Sequence, residues 1–376
     1  MSIKSLRAVP VAVPVRQKTS MSTRLLSKRD FLIITVTDSD TEVTGTGFCY
    51  AGTTGGRSAQ AIAEEIFEPA LVGADAEDIS GIWHRLYQET LVQGRRGIVL
   101  RVLSAIDLAL WDLLARRSGK PLAVLLGGRT GTLPAYASGG YYRPDQGAWG
   151  PALQEEIRFN QSLGFTDHKI KVGGLSPRED GDRIRAALEV IGDGRLALDA
   201  NNAYRTADEA VEAVRVFERA AGDHGLWWIE EPLSPDDIAG HATIRNAVRT
   251  AVATGEVHQT RWEYRELFDR QAADILQPDF GVVGGITEWI NVAKTAQTFG
   301  IPVAPHANAA VHVHVLPAIS TALTIEHFAL EKGIYNVEEL ITPETRVEFG
   351  NGTVTIPDRP GHGITFDEAK IREFAI

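Results

Sequence analysis

Six short apolar runs between residues 168 and 307 each end in a side chain that can do chemistry. HKIKVG carries Lys169 and Lys171, LALDANN Asp199, WWIEEP Glu230, AVATGE Glu256, DILQPD Asp279 and PVAPHA His306. From Lys171 onward the steps are 23 to 31 residues. That is the length of one strand, one helix and two loops in a barrel of about 250 residues. Helix-patterned segments such as TADEAVEAVRVFERA and GGITEWINVAKTAQTFG fill the intervals. Strand and helix alternating at this beat imply parallel strands with right-handed crossovers. The C-terminal strand ends of a closed (β/α) barrel then converge on one face, where such folds keep their active sites.

The rest of the chain frames that barrel. LPAYASGG (133–140) reads as the first strand and TIEHFALE (324–331) as the eighth, which sets the barrel at residues 131–335. Residues 1–130 read as an α+β domain. A strand over 3–16 is suited to an edge by Pro10 and Pro14. A long polar loop over Val15–Asp30 follows, then a hairpin of 31–38 with 42–52 and three helices. The last helix pattern is strongly amphipathic and stops at Gly119 before Pro121. Residues 336–376 carry a hairpin on the Asn351-Gly352 turn, expected to return to the N-terminal domain. The fold class is therefore α/β, a modified TIM-like barrel with an α+β domain completed by the C-terminal segment.

A formal charge of −11 argues against nucleic acid or an acidic membrane surface as partner. Cys49 is the only cysteine, so no internal disulfide forms, which fits a reducing, cytoplasmic setting. The apolar start is broken by prolines and does not read as a secretory signal. No apolar run approaches the roughly 18 residues of a membrane span.

Asp199, Glu230 and Glu256 end three consecutive strands. Like charges at neighbouring strand ends repel in a low-dielectric mouth. A hard divalent cation relieves that repulsion, and Mg²⁺ held by carboxylates, water and substrate is the usual case. Zinc is disfavoured, because neither His nor Cys stands among the three. Any one of these carboxylates reads equally well as a solvated strand end; three in consecutive units read as a metal centre.

Lys169 and Lys171 lie two apart and share one strand face, the barrel interior. Mutual repulsion and burial both lower a lysine pKa, so a general base is expected here. The bland alternative is an amphipathic strand with both lysines in water. Asp279 and His306 end the next pair of strands, and a carboxylate against imidazole makes a second acid/base. His312 and His314 look metal-like, but residues two apart on a helix point away from each other. Both are expected to be structural. His258, two residues past Glu256, is a further pocket candidate or an ordinary loop histidine. A metal flanked by two bases suits abstraction of the α-proton of a carboxylate substrate, with the metal stabilising the enediolate.

The motifs KIK (169–171), LDANN (198–202), WIEEP (228–232), TGE (254–256), QPD (277–279), GGITEW (284–289) and PHA (305–307) together resemble the mandelate racemase subgroup of the enolase superfamily. A Lys or His base beside Mg²⁺ is that superfamily's established pattern. The resemblance covers nearly the whole chain and implies a capping domain over residues 1–130. Residue by residue, it implies Lys171 and His306 as the two bases, Asp279 as partner of His306, and Lys169 as a contact to the substrate carboxylate. Asp199, Glu230 and Glu256 would hold one Mg²⁺, and Asn201 would touch the substrate α-hydroxyl. Glu331 would hydrogen-bond the substrate carboxylate, with Glu326 the next candidate. Capping loops at Val15–Asp30 and around Ala51–Gly56 would set specificity. A homo-oligomer is implied in the same way.

The subgroup holds racemases, acid-sugar dehydratases and lactone isomerases, and neither fold nor metal site separates them. The loop residues available to line the pocket are polar: Lys18, Arg24, Lys28, Tyr141, Tyr142, Arg143, His258, Gln259 and Arg261. Polar linings favour a polyhydroxy acid over an aryl acid, because unpaired buried donors penalise the latter. The sequence therefore predicts dehydration of an acid sugar to a 2-keto-3-deoxy acid. Racemisation or epimerisation of a 2-hydroxy acid, and lactone cycloisomerisation, are the alternatives on the same site.

Overall fold

A computed structural model describes residues 2–143 and 149–376, with the side chains of Gln17 and Lys18 outside the described set. β1 (Ile3–Ser20), β2 (Leu25–Asp38) and β3 (Thr44–Tyr50) form an antiparallel sheet in that order. β1 is an edge strand, where prolines forfeit no interior ladder bond. The long loop expected over Val15–Asp30 is instead mostly strand. β1 and β2 pair out to Ser20↔Leu25, with an irregularity between Pro14 and Thr19 that breaks the two-residue alternation. The β2–β3 hairpin stands as the pattern predicts.

Three helical stretches follow: a run over 56–71, α1 (Ile79–Glu89) and α2 (Ile98–Arg117). α2 is not the amphipathic helix its sequence suggests. Fourteen of its residues are buried, including Ser104, Asp107 and Asp112. It lies between the cap sheet and the barrel, so both faces need partners. β3 comes so close that a Cβ at Gly45 or Gly47 would sit 2.0 Å from the carbonyl oxygen of Ala109 or Ala105. Glycine is the residue that allows this approach.

The barrel strands are β4 (Gly131–Gly139), β5 (His168–Lys171), β6 (Leu196–Asp199), β7 (Trp228–Glu230), β8 (Ala251–Thr254), β9 (Ile275–Leu276) and β10 (Ile325–His327). The expected seventh strand, PVAPHA, is reduced to single bridges from Val303 to Leu276 and Ala322. β10 pairs with β4 in parallel and closes the ring. The crossovers are capped where the sequence provides for it. Ser176 and Glu179 form a reciprocal capping box at the helix Pro177–Ile191, and Thr206 caps Ala207–Ala221. Tyr136, Ala197, Trp228, Ala253, Ile275 and Ala304 fill the barrel interior with apolar side chains.

β11 (Phe349–Gly350) and β12 (Thr353–Ile356) make the expected Asn-Gly hairpin, but it does not return to the cap. It pairs antiparallel with the start of β4, Thr353 opposite Pro134. That stretch precedes the parallel pairing of β4 with β5 and β10, so its backbone groups are free to take an antiparallel partner. The return to the N-terminal domain is made further on. Gly361 bridges Pro121, Ala375 bridges Val11, and the Ile376 N–H donates to the Pro10 carbonyl at 3.1 Å. No helix among the described residues is long and apolar enough to cross a membrane.

Candidate active site and metal centre

Parallel register builds the site. Lys171 pairs with Asp199 across β5 and β6, and Asp199 with Glu230 across β6 and β7. Three charged residues thus stand side by side at neighbouring strand ends. On β5 the intervening Ile170 faces the helix layer, while Lys169 and Lys171 point inward and are almost fully buried. Carboxylate oxygens of Asp199, Glu230 and Glu256 lie within 4.8 Å of one another. All donors are oxygen, and the buried Oε2 of Glu256 has no hydrogen-bond partner among the described residues. The set fits a hard divalent cation and not zinc.

The neighbours of these carboxylates are specific. Glu230 Oε2 accepts from Trp228 Nε1 at 3.0 Å and Gln277 Nε2 at 2.6 Å, which fixes its plane. Lys169 Nζ lies 2.6 Å from Glu230 Oε1, 2.8 Å from Glu326 Oε1 and 3.8 Å from Asp199 Oδ2. Lys171 Nζ donates to Asp199 Oδ2. His306 Nδ1–H donates to Asp279 Oδ2 at 2.9 Å, and its Nε2 lies 3.8 Å from Glu256 Oε2. Asp279 also accepts from Asn308 Nδ2 at 3.0 Å, and Asn308 accepts from the Tyr335 hydroxyl. Asn201 and Asn202 both adopt positive φ just past β6. This turn lets the Asn201 backbone N–H and side-chain Nδ2 donate to Asp199 at 2.9 and 3.2 Å.

The electrostatics differ from expectation at the lysines. Burial disfavours the Lys171 ammonium, but Asp199 and other nearby acids outweigh it and raise its pKa. Lys169 is likewise raised, because Glu230, Glu326 and other nearby acids overcome its burial. The expected depression fails because acids crowd the pair more closely than it crowds itself. Burial also works against His306⁺, yet Glu256 and the bond to Asp279 lift it to about 10. Burial pushes Glu230 up against the pull of Lys169, with Asp199 and Glu256 adding to it. Glu326 resists burial and is held low by Lys169 and His306.

Most of the predicted residues meet here, and three do not. β10 ends at His327, so Glu326 points inward beside Lys169 and the Ala307 N–H. Glu331 sits beyond the strand on an exposed 3₁₀ turn. Tyr142 turns its hydroxyl to Asp180, 2.8 Å away, and it is Tyr141 that lines the cavity. His258 lines an adjoining cavity instead, where burial depresses its pKa to about 3. Of the other polar loop residues, Arg24 and Tyr141 reach the site. Arg261 pairs with Glu288, Gln259 ties Gly97 to the Val282 carbonyl, Lys28 pairs with Asp30 and Arg143 faces Glu156. Lys18 belongs to the side chains outside the described set. His312 is structural, bonding the Ala307 carbonyl and the Phe280 N–H, as is His314 on the His362 carbonyl.

Above the carboxylates opens a cavity of about 690 Å³ shared between barrel and cap. Lys171, Asn201, Glu256, Asp279 and His306 line it from the barrel; Ala51, Gly52 and Thr53 do so from the cap. Arg29 and Arg101 also line it, although the sequence pattern did not single them out. Arg101 stands in a helix, whereas a polar lining was expected from loops; Arg29 falls within the expected Val15–Asp30 loop but stands on β2. An arginine in an otherwise apolar helical run is the signal that marks Arg101.

Comparison with known proteins agrees with this architecture. Residues 3–127 match the mandelate racemase/muconate lactonizing enzyme N-terminal domain, and residues 152–370 match the enolase C-terminal domain-like family. An arabinonate dehydratase of Saccharolobus solfataricus is 35% identical over 84% of this chain and 83% of its own length. The L-talarate/galactarate dehydratase of Salmonella typhimurium is 33% identical over 97% of this chain and 88% of its own. Its structure with Mg and L-lyxarohydroxamate superposes with a TM-score of 0.89 at 30% identity, covering 100% of this chain and 93% of that one. A Streptomyces coelicolor racemase with bound magnesium gives 0.90 at 29% identity, covering all of both chains. The chain belongs to the mandelate racemase/muconate lactonizing enzyme family of the enolase superfamily.

Proposed function

We propose that this protein is a Mg²⁺-dependent acid-sugar dehydratase, converting a polyhydroxy acid to a 2-keto-3-deoxy acid. One observation carries the reading. The three-carboxylate cluster has an ammonium on one flank, Lys171 against Asp199, and an imidazole on the other, His306 beside Glu256. Asp199, Glu230 and Glu256 would hold Mg²⁺, which supplies charge stabilisation for a substrate carboxylate losing its α-proton. Lys169, held in place by Glu326 at 2.8 Å, is positioned to bind that carboxylate, and Asn201 Oδ1, buried and unpaired, to accept from the α-hydroxyl. Lys171 can serve as base only when the charge of Asp199 is engaged elsewhere, since Asp199 holds its proton. His306, kept protonated by Glu256 and Asp279, is the acid that gives a proton to the departing β-hydroxyl. The enol left behind tautomerises to the 2-keto acid. Both dehydratase relatives support this choice. A cytoplasmic location and a homo-oligomer belong to the same proposal.

The test is a panel of acid sugars with Mg²⁺, scored for keto acid with semicarbazide and run in parallel in D₂O. Keto acid from at least one member is expected. Deuterium at the α-carbon without keto acid would instead mean racemisation. Isomerised lactone without keto acid would mean cycloisomerisation. Lys171→Ala is expected to abolish α-proton exchange, whereas His306→Asn retains exchange and loses elimination. Each should lower kcat by about 10²–10⁴-fold.

A further inference from the structure

The cap side of the cavity carries two cations that the proposed chemistry leaves without a task. Arg29 on β2 is 7% exposed. Its Nε–H donates to the Ile334 carbonyl at 3.0 Å, and its guanidinium carbon lies 5.2 Å from the ring centroids of both Tyr50 and Tyr335. Arg101 on α2 donates to the Tyr50 carbonyl at 3.2 Å and stands 5.8 Å from the same Tyr50 ring. The other two buried arginines have acids at hand, Arg183 with Asp180 at 2.9 Å and Arg143 with Glu156 at 3.6 Å. Among the described residues, neither Arg29 nor Arg101 has a carboxylate within 4.0 Å. Aromatic faces offset part of the desolvation of a guanidinium, but a planar anion satisfies its fork of donors better.

The reactive end of the substrate is already accounted for by Lys169, Asn201 and the carboxylate cluster. Around the whole cavity stand five cations (Arg24, Arg29, Arg101, Lys169, Lys171) and five acids (Asp199, Glu230, Glu256, Asp279, Glu326). With His306 protonated beside Glu256 and Asp279, a divalent cation leaves a surplus of three positive charges. A monoacid answers one of them and a diacid two.

We propose that the substrate is a dicarboxylic acid sugar whose second carboxylate is held by Arg29 and Arg101 on the cap side of the cavity. This rests on the acid-sugar reading and narrows it. The cap then contributes specificity through two rigid elements, β2 and α2, and Tyr50 sets the spacing of the guanidinium groups.

The experiment has two arms. In the first, aldarates and aldonates of matched configuration are compared with Mg²⁺. At least tenfold higher kcat/KM is expected for the diacids. Arg101→Met and Arg29→Gln are expected to lower kcat/KM on diacids at least tenfold more than on monoacids, chiefly through KM. Arg101→Met changes a half-buried position, so the arm survives should Arg29→Gln not fold. Equal turnover of matched pairs, or equal losses in the variants, overturns the proposal while leaving dehydration standing. The second arm needs no turnover. Calorimetry on the Mg²⁺-loaded protein compares adipate with 6-hydroxyhexanoate. At least tenfold tighter adipate binding is expected, falling toward parity in Arg101→Met. Parity in the unmodified protein also overturns it. Adipate preference with no keto acid from any sugar would sink the dehydration reading and still support the two-ended site.

Discussion

Glu326 and Glu331 stand five positions apart, and the difference decides which one reaches the site. Glu326 is fully enclosed, with Lys169 at 2.8 Å and the Ala307 N–H at 2.6 Å. Glu331 is solvent-exposed. Glu326→Gln should therefore lower kcat/KM by about 10²-fold or more, the scale for removing one preorganised polar contact at a reacting centre. Glu331→Gln should leave it within about twofold. The reverse ranking in steady-state assays would refute the geometry. This distinction was not legible in the chain, because TIEHFALE does not reveal where its strand stops. The end is set by pairing of Ile325–His327 with Ala135–Ala137, almost two hundred residues away. Tyr141 and Tyr142 pose the same problem. Which of two adjacent tyrosines faces inward depends on the turn after β4, where Gly140 takes positive φ and shifts the parity. By contrast, Lys171, Asp199 and Glu230 were legible, because a parallel barrel converts strand-end position directly into spatial adjacency.

Elements fail to be read when their partners are distant or when they face two ways. The β1–β2 ribbon lacked alternation because its ladder is irregular, and α2 looked amphipathic although the barrel covers its second face. Close packing there gives a prediction. A methyl group at Gly47 would sit 2.0 Å from the Ala105 carbonyl oxygen, with helix backbone unable to yield locally. Gly47→Ala should destabilise the fold by about 3 kcal/mol or more, the upper end for overpacked cores. Urea unfolding would measure it, and a change below about 1 kcal/mol would refute the contact. The helix Ala309–Val315 gives a second prediction. His314 is fully buried on it, and burial, with His362 adding, lowers its pKa to about 4. The unfolded chain therefore binds that proton first, near pH 6.5. Stability linked to His314 is complete above pH 6.5 and is lost as pH falls toward 4, by about 3 kcal/mol in all. His314→Gln keeps a donor for the His362 carbonyl but does not titrate. Its Tm should fall less steeply over this window, and an unchanged slope would exclude His314 as a source.

At the scale of the molecule, cap and barrel share too much structure to behave as independent units. One apolar cluster runs from Val11, Phe31 and Phe48 of the cap sheet through Phe280 and Trp289 of the barrel to Ile371 near the C-terminus. Polar bonds fasten the same seam. Asp107 accepts from the Thr287 N–H at 2.9 Å and its hydroxyl at 2.6 Å, Trp83 Nε1 donates to the Gly284 carbonyl at 2.6 Å, and Trp111 Nε1 donates to Thr287 Oγ1 at 2.9 Å. The 285–298 helix that receives these bonds follows Asp279 closely in the chain, so the seam and the His306 partner share one support. Because the cavity is walled by both units, its shape depends on their docking. Thermal or urea unfolding followed by tryptophan fluorescence and by far-ultraviolet circular dichroism should give coincident single transitions. Asp107→Ala leaves the Thr287 N–H and hydroxyl without their acceptor and should destabilise by about 1–3 kcal/mol. Activity should then be lost below the midpoint of global unfolding, because the cavity opens when the seam does. Two well-separated transitions in the unmodified protein would show that the cap folds on its own, and the shared core would no longer explain how the specificity wall is held over the reacting groups.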